Sequence, residues 1–382
     1  MLARRMASNS AAKQTSQRKI VLVGAGFLAS YIARALVADP RNRVVLVSRH
    51  PEALHAKLVP LGAQILPPVS ADITSPSPTS LQSALQGASA VVSMVGLLSA
   101  PAKAMYEVQE KGAQTVARLA KEEGVGRMVM ISAIGADEHG PTPYQRTKAA
   151  GEKAFLEADS TATIIRPSIV FGPGDSFFTR FETLAKWLPF LPVFGGGVVR
   201  FQPVYAGDIA RAVEICCRDD PQVVKHVGGK IIEAGGPDTF TYREIMQLVL
   251  RYSGLQGRRM ILSLPYWLGM IQGFFLEKLP ESIFTVTRDQ IRQLRNDNIV
   301  AVSAVSPLGS VDFAGLLSAF PSSLPTSSPP GQAGLTSVYK SLPTYLGPAK
   351  GPVSGKRTHG RGGIEDSFEE VKRLSEKAKK QS

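Results

Sequence analysis

The 382-residue sequence predicts an α/β fold, a doubly wound parallel sheet with a small C-terminal substrate-side region and a flexible tail. Three observations predict it. Apolar runs of strand length alternate with helix-length stretches over residues 19–252, and strands connected through helices lie parallel because they need crossover connections. The first apolar run, residues 19–23 (KIVLV), passes directly into a glycine turn and a helix, the context in which a Gly-x-Gly-x-x-Gly/Ala pattern carries information. Further on, Ser132 ends a strand, Tyr144 follows twelve residues later, and Lys148 stands four beyond it.

Taken in order, residues 1–18 are basic, rich in Ser and Ala and free of acids; the first acid of the chain is Asp39. That composition reads as a mitochondrial targeting segment, or else as a tail with no address. After strand 19–23, Gly24 allows the tight turn and Gly26 lets the backbone approach a pyrophosphate. Phe27 and Leu28 follow, and Ala29 stands where a third glycine would help helix 30–38 pack on the sheet. The helix start supplies N–H groups and positive dipole. The second strand, residues 43–47, ends in Ser48-Arg49. An acid at that tip of a Rossmann-like unit would bond the ribose 2′-hydroxyl of NAD(H). Arg49 instead pairs with a 2′-phosphate, which favours NADP(H), unless it is simply a solvated surface residue.

A short strand at 63–66 precedes Asp72-Ile73 and a Pro/Ser/Thr loop, 74–80. Strand 90–95 ends with Val95 and then Gly96, small enough for a nicotinamide to lie over the sheet edge. Helix 102–123 leads to strand 127–132. Thr142 suits an N-cap, Pro143 the first helical position, and Gln145 completes a capping box. Tyr144 and Lys148 share one face of that helix. An ammonium near a phenol, whose ordinary pKa is roughly 10, would lower it and let Tyr144 exchange protons with a carbonyl or alcohol. Ser132 would hydrogen-bond the same oxygen and Lys148 would hold the nicotinamide ribose. Alternatively these are a strand-end serine and a helix surface pair.

Residues 164–173 (IIRPSIVFGP) form a strand and turn through Pro167 and Ser168. Gly195-Gly196-Gly197 makes a flexible loop, Asp208 caps helix 209–217, strand 230–234 follows, and Thr241 caps helix 242–252. Residues 261–276 are the most apolar run. Pro265 and Gln272 interrupt it, and it is too short to span a bilayer. It reads as an amphipathic helix packed on the body, or as a membrane-surface contact. Residues 279–300 continue as a folded segment. Residues 301–334 are a Ser/Pro/Gly-rich linker, 335–346 a short ordered piece, and 347–363 a second linker. Residues 364–380 form a helix with Ile364, Phe368, Val371 and Leu374 on one face. The principal domain is therefore 19–300, with its C-terminal lobe from about residue 235.

The net charge is +13, yet no zinc-finger, RNP or helix-turn-helix signature accompanies it, so no nucleic-acid partner is expected. Cys216 and Cys217 are adjacent, which makes neither a disulfide framework nor a metal site.

The motifs together resemble a known family. GAGFLA at 24–29, VMISAIGAD at 129–137, YQRTKAAGE at 144–152 and RPSIVFGPGDSFFTRF at 166–181 are similar to the atypical extended short-chain dehydrogenase/reductases. GGGVVRFQPVYAGDIARAV at 195–213, TRDQIRQLRNDNIV at 287–300 and SLPTYL at 341–346 narrow the resemblance. They point to the branch of the complex I alpha subcomplex subunit 9 and a related fungal protein of the coenzyme Q complex. Val23 and Ala29 replace the first and third glycines usual in that loop, and 301–334 becomes an insertion. The resemblance implies bound NADP(H), with NAD(H) the alternative. It implies residence on the matrix side of the mitochondrial inner membrane, with respiratory or coenzyme Q biosynthetic complex subunits as partners and a possible contact with the membrane surface. It assigns Val95, Gly96, Pro167, Ser168 and Lys148 to the cofactor beside the glycine loop, Ser48, Arg49, Asp72 and Ile73. The expected function is an NADP(H)-binding accessory or assembly role. The alternative is an active oxidoreductase or epimerase-like enzyme on a hydrophobic carbonyl or quinone-type substrate, using Ser132, Tyr144 and Lys148.

Overall fold

The computed structural model describes residues 17–98, 100–277, 287–301, 309, 311–320 and 334–347. The readings made on residues 1–16 and 348–382, the targeting segment and the terminal helix among them, lie outside the described residues.

Seven strands form one sheet. They are β1 (Arg18–Val23), β2 (Asn42–Ser48), β3 (Val69–Ser70), β4 (Ala88–Ser93), β5 (Arg127–Ile131), β6 (Thr163–Pro167) and β7 (Ile231–Ala234). Their order is β7-β6-β5-β4-β1-β2-β3 and every pairing is parallel. This is the Rossmann-like sheet, with strand order reversing between β1 and β4. Helices α1 (Phe27–Leu36), α2 (Glu52–Leu58), α3 (Thr79–Leu85), α4 (Gly112–Glu122) and α5 (Pro143–Ala158) make the crossovers.

The alternation of β1 explains why both faces are covered. Ile20 and Leu22 enter one apolar cluster with Ile32 and Leu36 of α1. Val21 and Val23 enter the other with Leu81 and Leu85 of α3, Val116 of α4 and Phe155 of α5. A fully buried leucine such as Leu22 contributes about 1.5–3 kcal/mol by burial alone.

Helices α7 (Ala206–Cys216) and α8 (Pro221–Val227) pack on the sheet in the cluster of α1, and the lobe is built from α6 (Phe177–Trp187), α9 (Tyr242–Tyr252), α10 (Tyr266–Leu276) and α11 (Arg288–Gln293). A third cluster, with Phe171, Phe178, Ile245, Met246 and Val249, forms its core.

Several expectations are corrected. The edge strand is Val69–Ser70, not 63–66. Leu66 N–H still donates to Val44 O at 2.9 Å, but Pro67 and Pro68 have no N–H to continue the ladder. The long helix 102–123 is interrupted by a π-helical turn, Tyr106–Lys111. Asp208 does not cap α7, which already begins at Ala206. It accepts instead from Thr336 N–H at 2.6 Å and pairs with Arg211 at 3.5 Å. Within the stretch read as linker, α12 (Phe313–Ala319) buries Phe313, Leu316 and Leu317.

Residues 334–347 do fold back on the lobe. The short helix Val338–Ser341 buries Val338, and Tyr345 Oη donates to the Asp175 carboxylate.

Candidate functional site

The site lies at the carboxyl ends of β1, β2, β4 and β5, around the point where strand order reverses. Gly24 has φ +113°, a conformation that disfavours any side chain, and a Cβ added there would stand 3.5 Å from the Met94 backbone. Gly26 has an ordinary φ of −88°, and a Cβ added there would point into open space. The turn therefore requires Gly24, whereas a side chain at Gly26 would obstruct only something approaching from outside. Helix α1 starts without a side-chain cap, so the first-turn amides at Phe27 and Leu28 have no partner from the helix itself. The Phe27 ring meets Tyr31 edge-on at 5.1 Å, and Tyr31 Oη donates to Pro173 O at 2.9 Å. The Leu28 side chain packs against the core.

A second arm lies beyond β2 and β3. Ser48 is half-buried and Arg49 exposed. Arg49 lines a cavity of about 270 Å³ with Ser70, Asp72, Ser75, Ser77 and Ser80. Asp72 accepts from Thr74 N–H at 2.9 Å and Thr74 Oγ1 at 2.7 Å. Those bonds first, and the Arg49 charge last, hold its carboxyl below the usual range. Ile73 packs on Gly112 at the start of α4, where a Cβ would come within 2.6 Å of it.

The third arm is the start of α5. Thr142 and Gln145 form the expected capping box, with Pro143 in the first turn. Lys148 Nζ donates to Val95 O at 3.0 Å and to Ile131 O at 3.2 Å, tying the ends of β4 and β5 to the helix. Gly96 leaves room for it, since a Cβ there would stand 3.0 Å from Nζ. Burial lowers the Lys148 pKa from 10.5 to about 8, against the opposing charge of Glu152. Glu152 forms a two-bond pair with Arg166 of β6, at 2.8 and 2.6 Å, which anchors α5 to the sheet.

Tyr144 departs from its expected chemistry. Burial pushes its phenol up to about 12, with no compensating contribution from the lysine. Desolvation disfavours the phenolate, and the Lys148 ammonium is engaged by two carbonyls.

Ser132 N–H donates to Ile165 O at 2.7 Å, while its Oγ is buried without a hydrogen-bond partner. Ser93 Oγ, at the end of the neighbouring β4, is in the same condition. Pro167 is buried at the end of β6. The Ser168 hydroxyl lies 2.6 Å from Asn298 Oδ1 and accepts from Gln202 N–H at 3.3 Å, so it is occupied by the 287–300 segment.

Comparison with known proteins places this geometry. Residues 24–174 match the model of an NAD(P)H-binding family. The NADH dehydrogenase (ubiquinone) 1 alpha subcomplex subunit 9 of Arabidopsis thaliana is 30% identical over 293 residues, covering 73% of this chain and 70% of that one. The chain belongs to the subunit 9 family. A ceramide reductase of Caulobacter vibrioides is 29% identical over 241 residues, covering 63% of this chain and 72% of the reductase. Among solved structures, the NAD-bound dTDP-glucose 4,6-dehydratase of Streptomyces venezuelae is similar with a TM-score of 0.54 at 20% identity, covering 75% of this chain and 93% of that one. The NAD complex of a Bacillus cereus UDP-glucuronic acid 4-epimerase gives 0.55 at 18%, covering 72% and 99%. At such identities the likeness shows the fold alone.

This subunit 9 relative thus carries an NAD(P)-binding domain, and its own residues fit a dinucleotide. Open space at Gly26, the uncapped start of α1 and the partnerless hydroxyls of Ser93 and Ser132 are features such a ligand would use.

Three residues of the site escape sequence reading. Gln109 bridges Leu97 and Thr147, Asn298 occupies Ser168, and Ser93 ends β4. Gln109 finds its partners through the fold, and although Asn298 lies within the 287–300 motif, nothing in that run marks its contact with Ser168. Ser93 was findable as a small polar residue closing an apolar strand.

Proposed function

We propose that this protein is a mitochondrial NADP(H)-binding accessory or assembly protein linked to respiratory complex I or to coenzyme Q biosynthesis, seated on the matrix side of the inner membrane. The observation that carries the holding role is Lys148, whose buried ammonium joins Val95, Ile131 and α5 rather than lowering the Tyr144 pKa. Kinship supports the setting, since the related subunits of Arabidopsis thaliana, Dictyostelium discoideum and Neurospora crassa carry mitochondrial names. The glycine loop would receive the pyrophosphate, Arg49 a 2′-phosphate, and Asp72 and Ile73 the adenine side. The nicotinamide half would lie along Val95, Gly96, Lys148 and Pro167. At a hundredfold excess over Kd such a ligand adds about 2.7 kcal/mol to stability, enough to matter in a fold of ordinary margin.

A second reading is an NADPH-dependent oxidoreductase or epimerase-like enzyme on a hydrophobic carbonyl or quinone-type substrate. The free Ser132 hydroxyl favours it, as does kinship with a ceramide reductase. The cofactor, when bound, supplies hydride. Tyr144, protonated at neutral pH as any phenol is, would give its proton to the substrate oxygen, and Ser132 Oγ would hydrogen-bond that oxygen.

Comparing Tyr144→Phe with Gly26→Asp in respiration and quinone-content assays separates the two. A silent Tyr144→Phe beside a deleterious Gly26→Asp supports holding. A Tyr144→Phe that binds NADPH yet fails as completely as Gly26→Asp overturns it in favour of turnover.

A further inference from the structure

Helix α10 is inverted relative to an ordinary surface helix, which buries its large apolar side chains and exposes polar ones. Its buried residues are two glycines, Gly269 and Gly273. A Cβ at Gly269 would meet the Phe194 ring at 2.8 Å, and one at Gly273 the Arg288 backbone nitrogen at 2.9 Å. The helix therefore lies close on the lobe along its glycine line, and its bulky residues face outward. Trp267 is 61%, Ile271 50% and Phe275 62% exposed. The strand Met260–Leu264 leading into it leaves Met260 and Leu262 exposed as well. The chain has two tryptophans, and the other, Trp187, is also exposed. It stands just before the strand that pairs with Met260–Leu264.

The surroundings are cationic. Among described residues 257–277 and 287–295 there are five arginines (258, 259, 288, 292 and 295) against two acids, Glu277 and Asp289. Both acids are already paired, with Arg288 at 2.9 Å and Arg292 at 2.8 Å. Arg288 and Arg295 each lie 5.3 Å from an aromatic centroid, of Phe274 and Tyr266.

Two occupants would suit an apolar face, a protein or a lipid surface. A protein interface brings a hydrogen bond for roughly each 100–200 Å². Within α10 the polar side-chain groups are the Gln272 amide, the Trp267 indole N–H and the Tyr266 hydroxyl, and Tyr266 Oη already donates to Leu294 O at 2.7 Å. Tryptophan and phenylalanine within an arginine rim, on a chain of net charge +13, complement an anionic phospholipid surface instead. Among the described residues no helix is long and apolar enough to cross a membrane, so the contact would lie in the interface plane.

We propose that α10 and the strand before it seat the protein peripherally on an anionic phospholipid surface, with Trp267 and Phe275 in the acyl boundary and Arg258, Arg288 and Arg295 at the headgroups. This inference deepens the proposed seating on the inner membrane and rests on that part of the reading; it does not involve the dinucleotide site, so it can fail while the holding role stands.

The full-length protein with NADPH is tested by flotation with vesicles of phosphatidylcholine, with and without phosphatidylglycerol. The wild type is expected to float with the anionic vesicles, less so at high salt, with a blue shift of tryptophan emission. The double variant Trp267→Glu/Phe275→Glu should lose at least about tenfold in partitioning with unchanged NADPH affinity and Tm, because both side chains are exposed. Arg258→Glu/Arg295→Glu should remove the preference for anionic vesicles. Wild type that stays in solution overturns the proposal, as does a double variant that floats like wild type. Loss of a co-purifying protein in the variant, with wild type indifferent to vesicles, assigns the face to a protein partner and overturns it equally.

Discussion

Gln109 Nε2 donates to Thr147 Oγ1 at 2.9 Å, and the same side chain accepts from Leu97 N–H at 2.9 Å. One buried amide thus connects the loop after β4 to the start of α5, beside Lys148. Gln109 belongs to the π-helical turn Tyr106–Lys111, a local widening of the kind that gathers at functional sites. Gln109→Leu leaves Leu97 N–H without this acceptor. A loss of about 1–3 kcal/mol in urea unfolding is expected, with weaker NADPH binding by calorimetry. Unchanged stability and affinity would remove Gln109 from the site's support.

Lys148 makes stability depend on pH. Its folded pKa is about 8 against an ordinary 10.5, so between those values the unfolded chain holds the proton that the folded chain has lost. Stability then rises with pH. The cost of burying the ammonium is full below about pH 8 and is relieved as pH climbs to 10.5. Relative to Lys148→Met, the wild-type apoprotein should gain about 3 kcal/mol across that window. Parallel denaturant titrations measure the difference, and a flat difference would show that the ammonium is better solvated than its burial implies.

On the proposed reading, Arg49 selects between the two dinucleotides. A charge-assisted bond to a 2′-phosphate is worth about 1.5–3 kcal/mol. Arg49→Ala should therefore weaken NADPH binding about ten- to a hundredfold and leave NADH nearly unaffected. Equal losses for both cofactors would contradict a 2′-phosphate role.

Tyr345 secures the returning C-terminal segment through Asp175. Burial raises the Asp175 pKa, while the Tyr345 hydroxyl and the backbone amides of Gly172 and Phe178 favour its charged form. Tyr345→Phe removes the first of those donors and should cost about 1–3 kcal/mol at neutral pH. The deficit should shrink as acid protonates the carboxyl, because the lost bond favours the ionised state. Thermal melts at neutral and acid pH read the change.

Much of this protein was legible locally. Alternation in residues 19–23 placed Ile20 and Leu22 opposite Val21 and Val23, which requires a sheet covered on both faces. The passage from that strand into Gly24 and Gly26 located the carboxyl-end turn, and Thr142, Pro143 and Gln145 announced the start of α5. These signals are readable because side-chain period, glycine's freedom and capping are properties of neighbouring residues.

Tertiary packing decided the rest. Lys148 finds acceptors at Val95 and Ile131, and Ser168 is taken by Asn298; no spacing encodes such pairs, since the fold brings them together across other elements. Pro67 and Pro68 shifted the edge strand by removing two donors. Phe313, Leu316 and Leu317 form a helix inside a linker-like composition because the cluster of α7 and the sheet offers them a place to bury. The orientation of α10 was equally beyond composition. An apolar helix reads the same whichever side faces the protein, and close approach along Gly269 and Gly273 turned its large side chains outward.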